Sequence, residues 1–333
     1  MRPRDGIGGI SVSSEKYDVI IVGAGNAALC AAIAATEGGA KVLVLEKANE
    51  DERGGNSLFT AGGFRFVHNG IEDVQTDVLT DLSDDEVAQI IMPPLPKETY
   101  LEDLRKVTED QTDDTLSEIL VGRSRETMAW LRKNGLRFIP MFGRQSYKVG
   151  DKQHFYGGVN IETVGGGWGL VDMLITRALK VGVEIRYATP MRALLQSQSG
   201  AIRGVKVQGP AGFEEIEAKA VVLACGGFEA NQEMRVRYLG PGWESCRVRG
   251  TRHNTGEGIR RRSISARWRS AAGRRAMRCS GTSARRRSAI AWCSTTSRST
   301  RIRSASSSIS KASASSTKAP TSAITRTRNM AAK

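Results

Sequence analysis

Gly23-Ala24-Gly25-Asn26-Ala27-Ala28 sets three small residues at the GxGxxA spacing. A turn of this kind receives a pyrophosphate. The first glycine permits the tight turn, the second lets the phosphates approach the backbone, and the small third residue lets helix and strand pack closely. A helix starting here directs its unpaired N–H groups and its positive end at the phosphate charge. Glu46 stands 21 residues after Gly25, at the end of a second apolar run, with Lys47 next to it. A carboxylate there accepts from a ribose 2′-hydroxyl and repels a 2′-phosphate, which argues against NADP. Gly23, Gly25, Asn26, Ala27, Ala28, Glu46 and Lys47 are therefore candidate dinucleotide-binding residues.

The elements that must position them are legible nearby. YDVIIV (17–22) is an apolar run of strand length ending in glycine, as expected of a buried parallel strand. The Ala-rich stretch 27–37 predicts a close-packed helix that stops at Gly38-Gly39, and KVLVLE (41–46) predicts the second strand of a βαβ unit. Residues 72–134 change to acidic linkers and helical patterns, which predicts a mostly helical insertion. WGLVDMLITRALKV (168–181) predicts a further helix, followed through Gly182 by the strand VEIRY. MRALLQ, IRGVKVQ and FEEIEAK predict a small antiparallel sheet, and AVVLACGG a separate buried strand. The fold class is α/β.

The net charge of +14 invites a nucleic-acid partner, but it is unevenly distributed. Residues 259–333 hold 16 Arg, 3 Lys and no Asp or Glu, so the preceding 258 residues carry −5. The front is a mildly acidic protein. The five cysteines (Cys30, Cys225, Cys246, Cys279, Cys293) form no CxxC pair and no metal-ligand spacing. They are expected to be reduced thiols of a cytoplasmic protein, with no metal site. The apolar stretch 19–35 is broken by Gly23, Gly25 and Asn26, which favours strand plus helix over a membrane span. Residues 1–15 lack the apolar run of a signal peptide and are expected to be a loose leader.

RGGNSLFTAGG (53–63), soon after the second strand, brings a resemblance into view. With GAGNAALCAA, VVLACGGFEANQE and RGTRHNTGEG, it resembles the flavoprotein family of succinate dehydrogenases and fumarate reductases, which use FAD. Within that family these strings most resemble the tricarballylate dehydrogenase branch. The resemblance covers residues 16–258 and implies a Rossmann-like FAD-binding domain, incomplete here, because the family's chain returns later to finish it. It implies that Gly55, Asn56, Ser57, Ala61, Gly62 and Gly63 lie along the flavin and pyrophosphate, and that the backbone of Met191 touches the adenine. Relatives with covalent flavin carry histidine at the position of Asn56, which implies non-covalent FAD here. Glu257 in TGEG stands where the family has the aspartate of TGDG, one methylene shorter. A small carboxylate substrate and a membrane-associated electron acceptor are implied partners.

Other residues carry less. Cys225 reads as a buried inert thiol. His68, His154 and His253 show no mutual metal spacing and read as structural or surface residues. Trp168 is expected either to line the flavin pocket or to pack in the core.

Beyond Gly258 the periodicity fails. Arg, Ser, Ala and Thr make up 56 of the last 75 residues, and Leu, Val, Phe and Tyr are absent. Such a segment buries too little apolar surface to offset its ordering entropy, so disorder is expected. In the family resembled, this is where the capping domain, the histidines that clamp substrate carboxylates and the proton-passing arginine of an ERF motif stand. A shifted reading frame accounts for their absence. Suitable codons for SKASASSTKAPTSAIT (310–325), read from one nucleotide earlier, give IEGERFVDEGADFRNYT, which contains ERF followed by acidic residues. SISARW (263–268) and MRCSGT (277–282) permit VDLGAM and AVQWD with the same shift direction. Loss of one nucleotide, or gain of two, near codons 258–263 would suffice, leaving no catalytic residue legible in the chain as written. The alternative is a Rossmann-type module with a genuine basic tail that binds nucleic acid or an acidic partner through salt-dependent phosphate contacts. Trp268 and Trp292 are the tail's only stacking aromatics, and no RGG or RS repeat is sustained, so no specific nucleic-acid partner is expected.

Overall fold

Ile20, Ile21, Leu43 and Val44 have no exposed surface, so the two apolar runs lie inside a sheet covered on both faces. The computed structural model describes residues 11–260. The expectations of a disordered basic tail and of a shifted frame, and residues 1–10 of the leader, lie outside the described residues.

Six strands build the main sheet: β1 (Ser11–Val22), β2 (Val42–Leu45), β3 (Glu184–Arg186), β4 (Met191–Gln196), β5 (Ile202–Gly209) and β6 (Gly212–Leu223). Their order is β4-β5-β6-β1-β2-β3. The pairs β6–β1, β1–β2 and β2–β3 are parallel, while β4–β5 and β5–β6 are antiparallel. The helix α1 (Asn26–Glu37) is the crossover between β1 and β2. Ala28, Leu29, Ala32 and Ile33 form its buried face, and their small side chains let it lie close to the sheet. α1 packs against α2 (Gly166–Lys180), which buries Leu170, Val171, Leu174, Ile175 and Ala178 at helical spacing.

Two sequence expectations are corrected. FEEIEAK and AVVL are not in separate sheets: both belong to the single strand β6. Its first half pairs antiparallel with β5, and from Glu214 to Leu223 it pairs parallel with β1. No glycine or proline separates the two halves, so the strand runs on, and the AVVL half is not the buried strand its composition suggests: Ala220 and Val222 are exposed and Val221 and Leu223 half-buried. β1 also begins at Ser11, inside the stretch read as a leader. Its first residues pair with Glu214 and Glu215 across an irregularity between Val12 and Lys16. Val12 is exposed, so apolar periodicity could not reveal this extension.

Between 71 and 133 lie five helices, Ile71–Gln75, Asp84–Ala88, Lys97–Thr108, Asp114–Gly122 and Ser124–Lys133, interrupted by the two-residue strand Ile90–Ile91. Ser83 starts the second with a capping box, exchanging hydrogen bonds with Glu86. Two three-stranded sheets accompany the main one among the described residues. One joins Gly63–Phe64, Ile161–Thr163 and Phe138–Pro140, and the other joins Ile90–Ile91, Lys152–Phe155 and Ser146–Val149.

The loop after β2 sits directly on the start of α2. A Cβ at Gly167 would lie 2.4 Å from the carbonyl oxygen of Ser57 and 2.6 Å from that of Leu58. Both are backbone atoms that cannot swing away. Gly167→Ala is expected to destabilise by about 1–3 kcal/mol through this overpacking. Gly122→Ala, at the end of a helix with nothing within 4 Å of the new methyl, is expected to stabilise by about 0.5 kcal/mol. Denaturant melts of the two variants check the pair: equal shifts would mean that the Gly167 contact is not rigid.

Candidate functional site

The turn between β1 and α1 is shaped by two glycines for different reasons. Gly23 has φ +109°, and a Cβ there would meet the carbonyl oxygen of Ala224 at 2.6 Å, so both conformation and packing require glycine. Gly25 has an ordinary φ of −84°, and an added Cβ would meet no protein atom closer than 3.5 Å. Nothing in the chain itself demands glycine there. The space it leaves opens into a cavity of about 380 Å³, within the usual range of small-ligand pockets.

Gly23, Gly25, Asn26 and Ala27 form one wall of this cavity, beside the N-terminus of α1. The first turn of any helix has N–H groups without intrahelical partners. That of Asn26 donates to Ser57 Oγ at 3.0 Å, which fixes the loop 55–57 against the turn. Ala28 lies behind the wall, fully buried, and keeps α1 close to the sheet.

Glu46 is 8% exposed and lines the cavity. Its Oε2 accepts from the Ala24 N–H at 2.8 Å and its Oε1 from the Ala48 N–H at 2.7 Å. Each oxygen retains a lone pair for a ligand hydroxyl. The Lys47 ammonium donates to Thr255 Oγ1 at 2.8 Å and pairs with Glu257 Oε2 at 3.1 Å. Asn56 Oδ1 accepts from the Thr251 N–H at 3.0 Å. Gly55, Ser57 and the buried Met191 at the start of β4 also line the cavity.

Ala61, Gly62 and Gly63 are not among the residues lining it. Gly62 has φ +72°, and a Cβ there would collide with Thr163 Oγ1 and the backbone of Gly166. Ala61 and Gly62 lie against the start of α2, and Gly63 pairs with Glu162 in the small sheet beside Met141 and Val159. Trp168 takes neither expected position. It is 68% exposed and does not line the cavity. Gly167 turns inward against the 57–60 loop, and the next helical residue, about 100° round, faces out. His68 is buried, and burial beside the Arg125 charge holds its imidazole below the usual range. His154 stacks on Tyr147 with ring centroids 5.5 Å apart. Among the described residues no cluster of three or more His, Cys, Asp or Glu could hold a metal, and no helix is long and apolar enough to cross a membrane.

Sequence reasoning missed the return segment 250–256 and its anchor. Glu52 Oε2 lies 2.9 Å from His253 Nε2 and 2.7 Å from an Arg252 nitrogen, which together hold the Glu52 carboxyl below the usual carboxylate range. Glu52, Thr251, His253 and Asn254 all line the cavity. The string RGTRHNTGEG was the only signal for Thr251, His253 and Asn254, and it gave no spacing rule by which to assign them. Cys225 also lines the cavity, and burial raises its thiol.

The fold and site together define a dinucleotide-binding module of the two-strand, glycine-turn, ribose-carboxylate type. Residues 18–272 match the family model described as FAD binding domain, and the chain belongs to that family, among the flavoproteins of the fumarate reductase and succinate dehydrogenase kind. Its cofactor is FAD. The chain is 31% identical over 234 residues to fumarate reductase (cytochrome) of Shewanella frigidimarina, covering 69% of this chain and 36% of that protein. It is 30% identical over 230 residues to urocanate reductase of Eggerthella lenta, covering 66% and 33%. Among solved structures, the open conformation of a flavocytochrome c3 fumarate reductase superposes with a TM-score of 0.59 at 27% identity, covering 76% of this chain and 41% of that one. The chain thus spans about a third of the length of these curated relatives.

Two outcomes are expected from these contacts. Glu46→Gln puts an amide NH₂ against one of two backbone donors, and should destabilise by about 1–3 kcal/mol and weaken FAD binding, read by melts and by flavin fluorescence quenching. Burial pushes the Cys30 thiol up to about 11 and raises that of Cys225, so both stay protonated well above neutral pH and react slowly with alkylating reagents. Cys246 is exposed. Peptide mapping after brief iodoacetamide treatment at neutral pH should find Cys246 labelled ahead of Cys30 and Cys225. Cys30 should become reactive only as pH rises through the raised value.

Proposed function

We propose that this chain carries the FAD-binding portion of a cytoplasmic oxidoreductase acting on a small, tricarballylate-like carboxylate, with FAD held non-covalently and electrons exchanged with a membrane-associated carrier. The observation that carries this reading is the convergence of the glycine turn, Glu46, the 55–57 loop and the 251–257 segment on one cavity. When bound, FAD supplies hydride exchange at N5 with the carbon beside a substrate carboxylate. This chain's residues bind and orient. The α1 N-terminus and the turn at Gly25 receive the pyrophosphate, Glu46 takes a ribose hydroxyl, and Met191 covers the adenine. Asn56 offers no ring nitrogen for a covalent link and spends its side-chain oxygen on the Thr251 N–H. Fumarate and urocanate, the substrates in the names of two relatives, are both carboxylates, which supports the substrate class. The choice of tricarballylate rests on the sequence strings.

The chain as written is proposed to be inactive and to lose flavin on purification, because residues beyond Gly258 are read as an out-of-frame image of the capping and catalytic segment. Resequencing the DNA through codons 255–265 tests it: an unaltered open frame would remove the frame-shift reading. A gene restored to frame should yield a yellow protein, stoichiometric in FAD and bleached by tricarballylate. The same behaviour from the chain as written would defeat the proposed inactivity.

A further inference from the structure

Three carboxylates line the cavity that must admit the dianionic pyrophosphate: Glu46, Glu52 and Glu257. Glu46 is held by two backbone N–H groups and Glu52 by Arg252 and His253. Glu257 has Lys47, at 3.1 Å. Among the described residues lining the cavity, Lys47 is the only lysine or arginine. Its side chain is three-quarters buried, and its ammonium already has two partners, Glu257 and Thr255 Oγ1. Both belong to the return segment that forms the wall facing the glycine turn.

We infer that Lys47 is a positioning and charge-compensating residue of the FAD site: it neutralises Glu257 and ties residues 255–257 to the end of β2, so that a diphosphate can enter between them. The inference rests on the FAD assignment and adds a role for Lys47 other than direct contact with the cofactor. The charges of Glu46, Glu257 and Lys47 all act on the Cys225 thiol in the cavity wall, which places them in one electrostatic neighbourhood. An unpaired Glu257 would repel the incoming phosphates, because Coulomb energies at these separations are only partly screened.

The test is a double-mutant cycle on the full 333-residue chain, titrated with FAD by fluorescence quenching. Lys47→Met should weaken FAD binding about tenfold, and added salt should narrow the gap. Lys47→Arg should stay within about threefold of wild type, since it keeps the charge. Lys47→Met with Glu257→Gln should recover most of the loss, because no uncompensated carboxylate remains. A double variant as weak as Lys47→Met would overturn the inference and make Lys47 a direct contact, as would a Lys47→Met variant that binds like wild type. If Lys47→Met fails to fold, folding of the double variant supports compensation. Failure of both to fold overturns it in favour of a packing role. If the wild-type chain takes up no added FAD, as its proposed flavin loss allows, the same cycle is run on the gene restored to frame, where absence of FAD uptake would refute the cofactor assignment, which separates the two failures.

Discussion

The Glu46 carboxylate is the fastener on which the site depends. β1 delivers the glycine turn and β2 delivers the ribose-side residues, but adjacent parallel strands alone do not fix the loops beyond their ends. By accepting from the Ala24 and Ala48 N–H groups, Glu46 joins the two loops through one buried side chain. Buried acceptors of this kind are costly when half satisfied and specific when fully satisfied. A group described at the level of motif as a ligand for ribose is therefore also part of the frame. The two roles are compatible because a carboxylate has more acceptor positions than the backbone occupies.

The βαβ opening was legible because its signals are local and strong: apolar runs of strand length, an Ala-rich helix, and glycines at the junctions. The continuity of β6 was not. One strand there carries an amphipathic half, FEEIEAK, paired with both β5 and β1, and an apolar half, AVVL, paired with β1 alone and exposed or half-buried. Period and composition change midway along it while the backbone does not, so one strand looks like two. Most strands between 138 and 163 are three or four residues long, too short for any periodicity to declare itself.

The same division holds in the site. Gly23, Gly25, Glu46 and the 55–57 loop fall within one contiguous stretch; spacing rules found the first three, and the family resemblance implied the loop. Glu52, Thr251, His253 and Asn254 meet through contacts spanning about two hundred residues of chain, as between His253 and Glu52. They are ordinary polar residues whose importance comes from where β6 ends. Trp168 shows the converse limit. Its type suggested burial, but the packing of Gly167 against the 57–60 backbone set the rotation of α2 and turned the indole outward.

Net charge is a poor guide to such a site. The first 258 residues carry −5, and three carboxylates line a cavity built for a dianion, yet the family assignment is secure. The resolution is that no carboxylate there stands alone. Glu46 faces two N–H groups, Glu52 a guanidinium and an imidazole, and Glu257 an ammonium. Each pair also connects segments distant in sequence or the ends of adjacent strands. Compensation and construction are thus done by the same contacts, and a phosphate entering between them meets backbone donors and the helix end more than it meets bare negative charge. Affinity for a pyrophosphate then follows from the local arrangement of donors, which neither the −5 of the front nor the +14 of the whole chain expresses.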